Sequence, residues 1–499
     1  MIRAEWFPYV VVFVVGMASL GAEIAVARLM APYFGASTIV WANTIGVVLV
    51  SLSVGYWLGG RLGDRHPHLR GLCLLVTVAA GLLAVVPFAA RPFFSVSVDA
   101  LDQISAGAFI GSLVAVLVLI AVPVVLLGAC SPWAVRLATP DIEHAGRTAG
   151  RLYAVSTAGS LLGTMSAALL TIPLIGTQRT FLVFAVTLAL VGATGLGWRY
   201  LAVPVVLAGV IAIPVGTVKA AVNGGGRVIY EKETAIQYVR VVQEPDGDRR
   251  LELNEGVAVH SLFRPGSYLT NDYWDGFLVL PFTRLEQPPR RIAILGNAAG
   301  TTARAYGHYF PAAQIDGVEI DPGLAEVGRR YFDMSAPHLS IYNQDARPWL
   351  RASAGRYDII VVDAYRQPYI PFYLTTREFF ELARDRLAPG GAVIVNVGHP
   401  VGNNDLEQVV GRTMADVFPT VLRDPIEDSN TLLVGAKAPT SAERLRRAIP
   451  GLASDLQPRA ALEASRLGPR LAGGQIYTDD LAPVEWLVDR SILGYAAGH

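Results

Sequence analysis

Lysine does not occur before Lys219, and Asp and Glu are scarce over the same stretch. Charged residues make up 16% of the 499-residue chain, against about 25% in soluble domains. The deficit belongs to the first half, which excludes an ordinary soluble fold there. The formal net charge is +0 and no basic stripe interleaves with aromatics, so a nucleic-acid partner is not expected. Only two cysteines occur, Cys73 and Cys130, both in apolar runs, too few for a disulfide framework or a metal cluster. The eight histidines are dispersed, and H-E-x-x-H, C-x-x-C, G-x-S-x-G and Walker sequences are missing. No metal is expected.

What is present is apolar sequence in long runs, with an apolar fraction of 52% and a mean hydropathy of +0.41. A bilayer crossing needs about 20 residues. Runs of that order fall near 7–31, 38–60, 71–90, 108–130, 153–175, 180–197 and 201–218. Arg61, Arg65 and Arg70 follow the second run, and Arg136, Arg147 and Arg151 follow the fourth. This bias places the amino terminus and those loops in the cytoplasm. Seven crossings would then export the carboxy-terminal half. The run 201–218, interrupted by Pro204 and Pro214, is the weakest and is expected not to cross. Glu23, inside the first run, is costly in lipid and marks a polar site between helices, or a group near a span end.

The run Asn223-Gly-Gly-Gly226 reads as a linker, and a β-rich segment follows at about 227–262, with strands at 236–242 and 250–254. From Arg290 short apolar strands alternate with amphipathic helices: strands at 292–295, 315–319, 339–342, 357–362, 392–397, near 421 and at 432–434. Helices are expected at 322–332, 375–387 and 406–417. The pattern predicts a parallel, doubly wound sheet covered on both faces, with a ligand beyond its carboxyl ends. The domain plan is a multi-pass bundle over 1–222 and a linker with the β-rich piece over 223–289. A Rossmann-like domain follows over 290–440, then a helical tail over 441–499.

Four successive strand ends carry polar groups. Gly296-Asn-Ala-Ala-Gly300 is a small-residue turn that admits a ligand to the backbone and to a helix amino terminus. Glu319, about 20 residues on, stands where an acid grips ribose hydroxyls. Asp345 could accept the adenine amino group, and Asp363 overlooks the same crevice. Each acid alone could equally be a helix cap. Their order along one sheet points to a nucleoside-type cofactor without a phosphate tail.

Residues 234–398 resemble the spermidine synthase family: Tyr273-Trp-Asp-Gly-Phe-Leu-Val-Leu-Pro-Phe282 and then Arg291-Ile-Ala-Ile-Leu-Gly296 follow the family's tyrosine segment and glycine strand. Ile236-Gln237 resembles its Tyr-Gln strand. The whole plan is similar to membrane-fused spermidine synthases. The resemblance implies an S-adenosylmethionine methyltransferase-type fold. It assigns Gln237, Gly296, Gly300, Glu319 and Asp345 to the cofactor, Asp363 to catalysis and Tyr273 to the amine site. Tyr365, with Tyr369, would close the crevice. Three positions depart from the family. Ala299 replaces the Asp that holds the cofactor's free amine, Trp274 replaces His or Gln, and Asp363-Ala-Tyr-Arg-Gln-Pro368 lacks the second Asp that holds a diamine.

The expected activity is aminopropyl transfer from decarboxylated S-adenosylmethionine to a small amine or hydrophobic acceptor, in a multi-pass cell-membrane protein with lipid around its helices and a cytoplasmic soluble domain. A homodimer is one option for its assembly. Methyl transfer from S-adenosylmethionine, to an amine or lipid-like acceptor, is the first alternative. A transporter or sensor with a non-catalytic nucleoside domain is the second.

Overall fold

The computed structural model describes residues 5–34, 38–104, 108–139, 143–211, 225–234, 236–254, 258–365, 370–399 and 401–488. The chain divides into two compact units, Met1–Ala220 and Ala221–His499.

The first unit is helical: α1 (Phe7–Phe34), α2 (Thr38–Arg65), α3 (Leu69–Ile104), α4 (Ala108–Ala138), α5 (Ala145–Ser166), α6 (Ile172–Ile175), α7 (Thr177–Leu196) and α8 (Ala202–Ile211). A π-helical turn, Ala167–Thr171, joins α5 to α6, so these form one span. Among the described residues, six helices are long and apolar enough to cross a membrane. The expected seventh run yields only the apolar stretch Trp198–Ile211, about 21 Å at 1.5 Å per residue, short of a ~30 Å hydrocarbon core. Residues 212–218 of that run lie outside the described residues.

Lipid is as apolar as leucine, so helices in it are held by close packing, which small residues allow. A Cβ at Gly59 of α2 would lie 2.2 Å from the Ala129 carbonyl oxygen of α4. Cβ atoms at Gly159 and Gly163 of α5 would lie 2.1 and 2.0 Å from the carbonyl oxygens of Phe13 and Met17 on α1. Backbones therefore touch at both crossings. Glu23 sits half-buried on α1.

The second unit opens with an antiparallel sheet, β1 (Arg227–Glu233), β2 (Tyr238–Gln243), β3 (Arg249–Leu253) and β4 (Val259–Phe263), in that spatial order. The strand expected at 236–242 starts two residues late, at Tyr238. The Thr234 amide donates to the Gln237 carbonyl at 2.8 Å. Short α9 (Trp274–Val279) then leads to the main sheet. Its strands are β5 (Arg291–Leu295), β6 (Gln314–Val318), β7 (Leu339–Tyr342), β8 (Tyr357–Val362), β9 (Leu387–Gly398), β10 (Thr420–Glu427), β11 (Asn430–Ala436) and β12 (Gly468–Pro469). The helices are α10 (Thr301–Tyr309), α11 (Pro322–Tyr331), α12 (Ala346–Ala352), α13 (Arg377–Arg386), α14 (Asp405–Val417), α15 (Ala442–Ala448) and α16 (Leu456–Arg466).

The order is β12-β10-β11-β9-β8-β5-β6-β7. From β7 to β9 the pairs are parallel, as expected, and β11, β10 and β12 add antiparallel. The sheet is therefore mixed. Thirteen residues of helix separate β9 from β10, whereas only Asp428 and Ser429 separate β10 from β11, room for a hairpin but not for a crossover. The chain leaves β5 toward β6 on one side and meets β8 on the other, so the switch point lies between the tips of β5 and β8.

The packing at Gly59 makes a prediction. Gly59→Leu should lower the thermal midpoint of the detergent-solubilised protein by several degrees, the effect of about 1–3 kcal/mol of overpacking. Gly60→Leu, where a Cβ meets nothing within 4 Å, should leave it unchanged. Equal midpoints for the two variants in a thermal scan would rule out the backbone contact.

Candidate active site

The tips of β5 and β8 are locked together. The Asp363 amide donates to the Leu295 carbonyl at 2.8 Å, and a Cβ at Gly296 would lie 2.4 Å from the Asp363 carbonyl oxygen. With φ at +91°, Gly296 is the residue type this approach requires. The turn ends at Gly300, φ +90°, where α10 begins. Between them Ala298 adopts φ +44°, which turns its amide onto Glu319 Oε2 at 2.9 Å.

Glu319, at the tip of β6, is 8% exposed, and its Oε1 accepts the Asp321 amide at 3.0 Å. Burial nevertheless pushes its carboxyl up to about 7, past the lowering effect of those amides. Gln237 is buried, and Thr234, bonded to its carbonyl, is tied to this tip by its hydroxyl, which donates to Asp321 Oδ2 at 2.7 Å. Gln237, Gly296, Gly300 and Glu319 thus belong to one locally tied region.

Asp345 follows β7. Its Oδ1 caps α12 by accepting the Arg347 amide at 3.0 Å, so the plainer helix-cap reading holds for that oxygen. Oδ2 accepts the Tyr373 hydroxyl at 2.6 Å. Arg347 carries the wall further: its guanidinium donates to the Tyr373 carbonyl at 3.0 Å and grips Asp479 with two bonds at 2.7 and 2.6 Å. Asp479 therefore clamps the Tyr373–Asp345 pair through Arg347. Asp479 also accepts the Thr376 hydroxyl at 2.8 Å.

Asp363 is the centre. The Tyr273 hydroxyl donates to Oδ2 at 3.2 Å, and the Asn396 side-chain amide donates to Oδ1 at 2.9 Å. Burial raises the carboxyl to about 7, while Asn396, Tyr273 and the Trp274 indole pull in the opposite direction. Burial and the facing Asp363 carboxylate push Tyr273 well above its ordinary value, which keeps it a hydroxyl donor. The Tyr273 ring packs against the Trp274 ring, tilted by 30° with centroids 4.3 Å apart, so the replacement residue braces the tyrosine. The Tyr273 amide donates to Glu427 Oε1 at 2.9 Å, on a carboxyl raised to about 8 by burial and by Asp272.

Tyr365 does not stand free as a lid. Its hydroxyl donates to the Asn396 carbonyl at 3.0 Å and accepts the Gly398 amide, which ties it to β9. Tyr369 and Arg366 lie outside the described residues. Ala299 is fully buried, its amide on the Ser261 hydroxyl at 3.0 Å, so the family's amine-binding carboxylate has no counterpart at this position. Asn396, Tyr373 and Glu427 are additions that the sequence reading missed. Asn396 carried a signal, a lone amide at the end of the apolar strand Ala392-Val-Ile-Val-Asn-Val397. Tyr373 and Glu427 carried none.

Glu319, Asp345 and Asp363 take hydrogen bonds from backbone amides, tyrosines and an asparagine. Such acids suit hydroxyl and amine donors and a cationic centre; they would repel a phosphate. Among the described residues no cluster of three metal-ligating side chains occurs.

Residues 280–425 match the spermine/spermidine synthase domain. The chain is 32% identical over 278 residues to a probable polyamine aminopropyl transferase of Bifidobacterium longum, an alignment covering 52% of this chain and 61% of that protein. It is 29% identical over 177 residues to a polyamine aminopropyltransferase of Vibrio vulnificus, covering 34% and 59%. The chain thus spans about 60% of the length of these two relatives. A longer alignment, 23% identical over 421 residues and 78% of each chain, joins it to polyamine aminopropyltransferase 2 of Ralstonia nicotianae. Among solved structures, a probable spermidine synthase from Corynebacterium glutamicum matches with a TM-score of 0.41 and 22% identity, covering 53% of this chain and 99% of that one. The match to the spermine/spermidine synthase domain thus falls within the carboxy-terminal unit, and the amino-terminal unit has, among the described residues, six long apolar helices.

Proposed function

We propose that this chain is a membrane-bound aminopropyltransferase that moves an aminopropyl group from decarboxylated S-adenosylmethionine to an amine acceptor. The observation that carries the reading is Asp363 at the switch point, held by Tyr273 and Asn396, with its carboxyl raised to about 7. Glu319 would hold the ribose hydroxyls and Asp345 the adenine amino group, with Gln237, Gly296 and Gly300 completing the nucleoside cradle. Tyr273 would line the acceptor's path, and Tyr365 its far wall.

In the transfer, the acceptor nitrogen attacks the carbon attached to the sulfonium. The new C–N bond forms as the C–S bond breaks, the electron pair leaves with sulfur, and methylthioadenosine departs. The thioether needs no acid. Asp363, once ionised, takes the proton that the acceptor nitrogen sheds, and Tyr273 keeps its carboxylate aimed. A base poised near neutrality serves best at physiological pH.

The departures from the family bear on the acceptor. The second Asp that would hold a diamine's far end is missing, and Ala299 supplies no carboxylate for the donor's amine. We therefore favour a monoamine or a hydrophobic amine over a short diamine. Methyl transfer from S-adenosylmethionine is the second reading, because Ala299 stands where the family's Asp binds the donor's free amine. The two differ in product: methylthioadenosine for the first, S-adenosylhomocysteine for the second. With six crossings and a cytoplasmic amino terminus, the enzyme domain would lie in the cytoplasm, where the donor is made.

Two predictions follow from Asp363. Asp363→Asn should retain methylthioadenosine binding and lose turnover by about 10²–10⁴-fold, and wild-type single-turnover rates should climb with pH to a plateau with a midpoint near 7. Undiminished turnover by the variant, followed by mass spectrometry of the nucleoside product, would dismiss the reading. The same carboxyl also sets a stability signature. A folded-state value raised from 3.8 to about 7 favours the native state fully below pH 4, and that contribution is lost as pH rises through 7. Asp363→Asn should therefore melt above wild type at pH 8, with the gap closing toward pH 4. A gap that instead widens on acidification would refute the buried, raised carboxyl.

A further inference from the structure

A directed chain of side-chain amides ends on Asp363. The Ser429 hydroxyl donates to Asn430 Oδ1 at 3.2 Å, the Asn430 amide donates to Asn396 Oδ1 at 2.9 Å, and the Asn396 amide donates to Asp363 Oδ1 at 2.9 Å. Asn396 lies on β9, is 3% exposed, and faces Leu432 in the strand register, while Asn430 faces Gly398. An asparagine side chain has a donor end and an acceptor end, and which end faces the carboxylate is decided by its other neighbour. Here Asn430 occupies the oxygen of Asn396, leaving its NH2 for Asp363.

We propose that Asn430 is a positioning residue that sets the polarity of the Asn396 amide, and through it the protonation of Asp363. This rests on Asp363 as the base of the transfer. Without the Asn430 donor, the Asn396 amide is free to turn and present its oxygen to Asp363. That arrangement repels the carboxylate and accepts a hydrogen bond from the protonated acid. The proton is then held more tightly, and the base is available only at higher pH. The other groups facing Asp363 are the hydroxyl of Tyr273, the Trp274 indole, the Asp272 carboxylate and Tyr365. None of them takes over the Asn430 bond to Asn396 Oδ1. Residues 366–369 lie outside the described residues.

The test is an infrared pH titration of the full chain in detergent, following the protonated carboxyl band that disappears in Asp363→Asn. Asn430→Asp, which is isosteric, and Asn430→Leu, which adds no charge, should each raise the midpoint by about one pH unit. Asn430→Gln, which keeps a donor, should return it toward wild type. The acid limb of the rate profile should move in parallel while KM for the nucleoside donor holds. Midpoints within about 0.3 unit of wild type for both the Asp and Leu variants would overturn the proposal. The infrared readout does not need turnover. A shifted band together with an Asp363→Asn variant that still turns over would sink the transferase reading and leave the relay standing.

Discussion

The second unit is organised around a carboxylate that gives up much of its water and receives tyrosine and asparagine donors in its place. Removing an acid from water raises its affinity for a proton, and hydrogen bonds to the charged form lower it. At Asp363 the first effect exceeds the second, and the balance sits near neutrality. Everything that meets there is placed by backbone: the β5 turn that only glycine allows, the β8 tip hydrogen-bonded across to Leu295, and the β9 asparagine one strand away. The mixed sheet matters for the same reason. Its antiparallel β11 brings Asn430 beside β9, which no purely parallel extension at that edge would do with a two-residue turn.

How legible this was in the sequence depends on the kind of signal. Long uncharged runs announce helices in lipid because a buried charge there is expensive, and among the described residues six helices have the length and composition to cross. Of the seventh run, which was expected not to cross, the described part lies in the apolar stretch Trp198–Ile211. Alternating apolar strands and amphipathic helices gave the order of the sheet's elements, because each element must bury one face. They could not give direction for the last strands, since a short apolar run pairs equally well either way. Direction was settled by the two residues between Glu427 and Asn430.

The site followed the same division. Glu319 and Asp363 were visible as acids that end apolar strands, and the structure gives both raised carboxyls. Asp345 occupies the expected strand end, yet half of its carboxylate caps a helix and the other half binds Tyr373. Tyr373 and Asp479 become meaningful only when distant segments meet: Arg347 joins them across more than a hundred residues of sequence. Spacing along a chain carries no trace of such a clamp. Asn396 was within reach, because an amide inside a buried strand must find partners.

The central claim is that three strand-tip acids surround one adenosyl group. The most direct measurement is an experimental structure of the full chain with methylthioadenosine bound. The account predicts the ribose hydroxyls on Glu319, the adenine amino group on Asp345, and the thioether sulfur turned toward Asp363. Nucleoside density elsewhere, or with its sulfur turned away from Asp363, would contradict it.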